Sequence, residues 1–152
     1  KEQRFEALRE LFERTGFPHT VVDDIERRLW SKWMLNVGVN QVVCAAEGDY
    51  GSIQQPGALR DRMIAAMREA KETALAEGIH LTEDDLRGYV ALVDTLDPQG
   101  MPSMRADGVA KRKTELESFA GAVLEKAKKH GIDTPVNRAL YEEIRALEES
   151  WI

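Results

Sequence analysis

The stretch KWMLNVGVN, residues 32–40, decides the fold. Five of its nine residues are bulky and apolar, namely Trp33, Met34, Leu35, Val37 and Val39, which suits a helix meant for burial. Lys32, Asn36 and Asn40 interrupt them at every fourth position. Residues four apart on an α-helix differ by about 40° of rotation, so this row spans about 80° and points into one space. Gly38 falls mid-helix, where glycine costs about 1 kcal/mol relative to alanine. Close approach by another helix or by a ligand would explain it. Spacing alone leaves two readings open. One is a solvated stripe on an amphipathic helix. The other is a lysine and two carboxamides arranged to protonate or hold an oxygen atom.

Helical signals continue on both sides of this stretch. Phe5, Leu8, Leu11 and Phe12 mark one face of a first helix that ends at Gly16–Phe17–Pro18, and Thr20–Val22 is a β-branched run suited to one short strand. Asp23 with Glu26 has capping-box spacing and opens the helix that holds KWMLNVGVN and runs to about Ala46. Pro56 suits a first helical position, with a stripe from Leu59 through Met63, Ala66, Met67 and Ala70 to Ala74. Thr82 and Asp85 cap the next helix, which carries Leu86, Tyr89, Val90, Val93 and Leu96. After the proline-containing loop 97–103, a long helix is expected from about Val109 to His130, with Leu116, Phe119, Ala120, Val123 and Leu124 inward and Gly131 past its end. Thr134–Pro135 starts the last helix, with Leu140, Ile144 and Leu147 inward. The fold class is all-α: a single domain over residues 1–152, with six helices and at most one strand.

A net charge of −6 argues against a nucleic-acid binder, which normally carries a basic excess. It leaves room for a small anionic ligand, which needs only one or two local cations. No apolar run approaches 18 residues, so no membrane span is expected. Cys44 is the lone cysteine and suits a small core residue in a reducing, cytoplasmic setting. His19, His80 and His130 lack metal-ligand spacing, and no metal site is expected. Neither a G-x-G-x-x-G turn nor a P-loop occurs. The chain opens on a charged helical pattern at Lys1 rather than on methionine, which suits a piece of something longer.

A second row at four-residue steps comprises Ser103, Asp107, Lys111 and Glu115. It has a structural explanation. Asp107 favours a helix N-terminus, and a Lys111–Glu115 surface pair is worth only a few tenths of a kcal/mol. Taken with the first row, however, LWSKWMLNVGVN (29–40), PSMRADGVAKRKTELESFAG (102–121) and HGIDTPVNRALY (130–141) resemble, in order and spacing, the C-terminal helical domain of the ketopantoate reductase family. The resemblance covers essentially the whole chain.

That resemblance implies an all-α domain similar to the C-terminal domain of 6-phosphogluconate dehydrogenase. It implies reduction of 2-ketopantoate to pantoate with NADPH, on the route to pantothenate and coenzyme A. NADPH would be bound mainly by an N-terminal Rossmann domain that this chain lacks, and the isolated chain would be inactive. Lys32 is implied as general acid, Glu115 as its catalytic partner, Asn36 and Asn40 as binders of the substrate's hydroxyl and carboxylate region, and Ser103 as a holder of the carboxylate. Asp107 and Arg112 fit the pattern as supporting structure. Pro102 stands where a second serine is common. The implied partners are a 2-keto acid, the chain's own nucleotide-binding domain and a second copy in a homodimer. Two alternatives are a reductase of another 2-keto acid with the same site logic, and a helical interaction domain without catalysis. Retention of all five site residues speaks against the second.

Overall fold

A computed structural model describes residues 2–151. The described residues form helices joined by loops: α1 (Glu2–Thr15), α2 (Ile25–Ala45), α3 (Gly51–Gln54), α4 (Ala58–Ala76), α5 (Glu83–Val93), α6 (Ser103–Val109), α7 (Ala120–His130) and α8 (Pro135–Ser150). A 3-10 turn, Leu116–Ser118, precedes α7. No strand occurs among the described residues, and Thr20–Val22 is irregular and mostly exposed.

The second half of α2 is the axis of the domain. Every residue from Val37 to Cys44 is buried, because α4, α5, α6 and α8 pack around it. A helix apolar on nearly all sides is stable only when so enclosed. Gly38 allows the closest approach. A Cβ there would lie 2.8 Å from the backbone oxygen of Met63 and would overlap the Met67 side chain, both on α4. Met34, Val37, Val42 and Val43 of α2, Ile53, Met63 and Met67, Met104 of α6, and Leu140 and Ile144 of α8 fill the core with 1% exposure or less.

Buried polar groups tie the helix starts together. The Glu69 carboxylate of α4 accepts from the backbone N–H groups of Val136 (2.8 Å) and Asn137 (2.9 Å), and from Asn137 Nδ2 (2.7 Å). It therefore caps α8 from another helix. Gln41 Oε1 does the same for α7, accepting from Ala120 N at 2.8 Å, while Gln41 Nε2 donates to Asn137 Oδ1 at 3.1 Å. Helix starts leave orphan N–H groups, and here tertiary partners satisfy them.

Several local expectations hold. Thr82 and Asp85 form the reciprocal capping box, Gly131 ends α7 at φ +68°, and Pro135 starts α8. Others need correction. Asp23 and Glu26 form no capping box: Asp24 occupies the cap position without a side-chain cap bond, and its carboxylate accepts from Arg28 Nε instead. Helix α4 starts at Ala58 after Gly57, two residues beyond Pro56. The expected helix from Val109 to His130 is broken into the end of α6, a loop, the 3-10 turn and α7. Leu147 is only partly buried. The α1 stripe is not buried either: Phe5, Leu8 and Leu11 are nearly half exposed.

Candidate functional site

Along α2 the row Lys32, Asn36, Asn40 runs from surface to interior: Lys32 is exposed, Asn36 half-buried, and Asn40 only 7% exposed. At 1.5 Å rise per residue it covers about 12 Å of wall. Among the described residues none of the three side chains has a hydrogen-bond or ion-pair partner, although neighbours on the same helix are engaged, as with Trp33 and Gln41. An unmade hydrogen bond on a buried amide costs about 1–3 kcal/mol. The only fully enclosed side-chain nitrogen or oxygen without a partner, among the described residues, is Arg105 Nε. The Asn40 amide therefore keeps access to open space.

The other group forms by a different route from the one its spacing suggests. Lys111 is not the next step of a helix, since its backbone is left-handed at φ +50° and α6 has already ended at Val109. The chain instead turns back and brings Glu115 to Ser103, whose Oγ donates to Glu115 Oε2 at 3.0 Å. Both residues are exposed. Pro102, directly before Ser103, is buried and extended at φ −73° and ψ 160°, and its carbonyl accepts from Ala106 N. Asp107 and Arg112 are joined to each other, Arg112 Nε and Nη2 donating to Asp107 Oδ1 at 3.0 and 2.6 Å.

The helix that carries the row is tied to the segment that carries Glu115 through residues beside the row. Trp33, next to Lys32, donates its indole N–H to Ser118 O at 2.9 Å, and Ser118 N in turn donates to Glu115 O at 2.9 Å. Gln41, next to Asn40, caps α7. Lys32 and Glu115 do not form an ion pair with each other: the Lys32 side chain has no partner among the described residues, and the Glu115 carboxylate accepts from Ser103. Gly38 lies on the α4 side of α2, roughly 160° around the helix from the centre of the Lys–Asn row, and does not make room beside Glu115.

Trp33 stands out in the sequence only as an apolar residue and Gln41 not at all, yet the two tie α2 to the segment before α7 and to its start. Glu148, which fastens Thr114, the residue just before Glu115, does not stand out either. A tryptophan among apolar residues and a glutamate in a charged C-terminal helix carry no local sign of such partners. Cys44 stays out of the chemistry: burial raises its thiol pKa to about 11, which makes it a core residue and not a nucleophile. Among the described residues no group of three His, Cys, Asp or Glu side chains is placed to hold a metal ion. No helix among them is long and apolar enough to cross a membrane.

A family described as "Ketopantoate reductase PanE/ApbA C terminal" matches residues 24–148. The 2-dehydropantoate 2-reductase of Vibrio cholerae is 30% identical over 148 residues, which is 97% of this chain and 50% of that protein. A PanE/ApbA family ketopantoate reductase from Ralstonia eutropha superposes with a TM-score of 0.86 at 25% identity, over 96% of this chain and 49% of that one. A D-mandelate dehydrogenase in ternary complex with NADH and anilino(oxo)acetate shares the fold, with a TM-score of 0.83 at 24% identity over 99% of this chain and 50% of that one. The chain thus spans about half the length of the curated relatives it matches.

Proposed function

The chain belongs to the ketopantoate reductase family, and from that membership we propose that it is the substrate-binding and catalytic helical half of an NADPH-dependent 2-dehydropantoate 2-reductase. The observation that carries this is the row of unengaged donors on α2, passing from the exposed Lys32 to the buried Asn40. An ammonium and two amides on one wall fit a short anionic ketone. They do not fit a dinucleotide's phosphates, for which this chain has no glycine-rich turn. The cofactor, when bound by the preceding half of the longer protein, supplies the hydride.

The chain's own groups do the rest. Hydride addition at the keto carbon places the carbonyl π pair on oxygen. Lys32 Nζ donates a proton to that oxygen, giving the hydroxy acid. An ammonium aimed at developing alkoxide charge stabilises the transition state more than the ketone, which is what acceleration requires. Asn36 and Asn40 offer N–H donors and carbonyl acceptors to the substrate's hydroxyl and carboxylate region. Ser103 offers its single O–H, now given to Glu115, to the substrate carboxylate. Binding therefore transfers that proton's hydrogen bond and frees Glu115 toward Lys32. The apolar face of α1 is the surface on which the nucleotide-binding half packs. A reducing, cytoplasmic setting is part of the same proposal.

In the full-length enzyme, Lys32→Ala should lower kcat by about 10²–10⁴-fold with little change in Tm. Activity within a factor of two of the parent would remove Lys32 as general acid. A second reading, reduction of another 2-keto acid by the same groups, is favoured by the D-mandelate dehydrogenase that shares this fold. Comparing kcat/KM for ketopantoate and for aromatic 2-keto acids separates the two.

A further inference from the structure

The segment that carries Glu115 has no helix or strand of its own between Val109 and Leu116. It is fastened at both ends instead. At the near end Arg112 grips Asp107 through its side chain, and Arg112 N donates to Asp107 O at 2.9 Å. At the far end Thr114, which is buried, gives both its N–H (2.7 Å) and its Oγ–H (2.6 Å) to one oxygen, Oε1, of Glu148. Thr114 Oγ1 also accepts from Leu116 N at 3.2 Å. Thr114 immediately precedes Glu115, so this clamp sets where the Glu115 backbone leaves the loop.

Glu148 stands in the last turn of α8, where a negative charge opposes the helix dipole and costs about 0.3–1 kcal/mol. Helix α8 itself is held at both ends. Glu69 caps its start, and Trp151, just past its end, packs against α6, where a Cβ on Gly108 would lie 3.5 Å from the indole. Bonds to a carboxylate are short and strong, and two donors on one oxygen fix direction as well as distance.

We propose that Glu148 is a positioning residue for the reaction, holding Thr114 so that Glu115 stands opposite Lys32. This rests on the assignment of Glu115 to the catalytic pair. Ser103 sits on α6 and makes no bond to Thr114 or Glu148, so loss of the clamp leaves in place the side chain proposed to hold the substrate carboxylate.

Two variants and a control test this. Glu148→Ala removes the acceptor. Glu148→Gln keeps one carbonyl oxygen able to accept from both Thr114 donors. Glu143→Ala, on the same helix as Glu148, breaks the ion pair with Arg62 of α4 and leaves the loop alone. In this chain, amide hydrogen exchange at Thr114 should accelerate at least about tenfold in Glu148→Ala and return near the parent rate in Glu148→Gln. In the full-length enzyme, Glu148→Ala should lower kcat by about tenfold, with KM for the keto acid within about twofold; displacements near 1 Å cost up to about a hundredfold. Glu148→Gln should recover kcat to within about threefold of the parent, and Glu143→Ala should change neither readout. Unchanged Thr114 exchange in Glu148→Ala overturns the clamp. Faster exchange with kcat no lower than in Glu143→Ala overturns the positioning role. So does a Gln variant that restores exchange but not kcat, because charge rather than position would then matter. A Glu115→Ala enzyme with parental kcat overturns the catalytic assignment beneath the proposal. It is distinguishable from failure of the clamp because Thr114 exchange is read without turnover.

Discussion

Helices α1 and α2 carry comparable apolar side chains and end in different situations. Met34 and Val37 of α2 have no exposed surface, whereas Phe5, Leu8 and Leu11 of α1 are nearly half exposed. Among the described residues, seven of the eleven exposed large hydrophobic ones fall between Phe5 and Leu29, so their unburied apolar surface concentrates at one end of the chain. Around α2 stand α4, α5, α6 and α8, while among the described residues α1 makes at most slight contact with any other helix. Its Phe12 packs instead on Phe17 and His19 just beyond the helix end, with ring centroids 4.9 and 5.5 Å apart. An apolar stripe at helical spacing specifies a helix but not what buries it. The family match begins at residue 24, after α1, although relatives align across nearly the whole chain.

The widest separation between the two helices should come from truncation. Met34→Ala should cost about 2–5 kcal/mol, the range for removing a large buried side chain, measured by urea unfolding. A cost below 1 kcal/mol would mean that the α2 environment is no better packed than that of α1. Gly38→Ala should follow. The added methyl overlaps Met67 and lies 2.8 Å from the backbone oxygen of Met63, so α4 must shift. Overpacking of about 1–3 kcal/mol outweighs the roughly 1 kcal/mol that alanine gains in helix propensity, leaving a net loss. A stabilised variant would show that α2 and α4 are not in close contact.

How far these features could be read in advance depends on where their causes lie. The Lys32–Asn36–Asn40 row was legible because an unbroken helix converts four-residue spacing directly into a shared face. The Ser103–Asp107–Lys111–Glu115 row looked equivalent and is not. Its residues straddle a helix end at Val109 and a left-handed turn at Lys111, yet Ser103 and Glu115 still meet through the fold-back. What stops the helix is partly tertiary, since Thr114 spends its N–H and hydroxyl on Glu148, 34 residues away. The capping box at Thr82 and Asp85 lay within four residues and was legible. The caps supplied by Gln41 to α7 and Glu69 to α8 come from 79 and 67–68 residues away and were not.

Charge on the core's surface gives a smaller effect with a definite pH signature. Glu77, at the end of α4, meets Lys126, Lys129 and His130 of α7. Hydrogen bonds from His130 and then Lys129 lower its pKa from 4.5 to about 2. A carboxylate depressed on folding adds stability that is complete above its unfolded pKa and lost as pH falls toward the folded one. Glu77→Gln should therefore lower Tm at pH 7, and the gap from the parent should narrow as pH drops from 4.5 toward about 2. A gap of constant size down to pH 3, followed by calorimetry, would assign the effect to packing instead.

The smallest effect belongs to α1 and is the most informative. Leu8→Ala removes an apolar side chain that is already nearly half exposed, from a helix that alanine favours. In this chain the change should stay within about 0.5 kcal/mol. In the longer protein, where the proposed nucleotide-binding half covers that face, the same substitution should cost about 2–5 kcal/mol, as it does for any buried leucine. The comparison between α1 and α2 would then vanish, because both stripes would be core. An unchanged, near-zero cost in the longer protein would instead leave α1 as a solvated arm and remove it as the contact between the two halves.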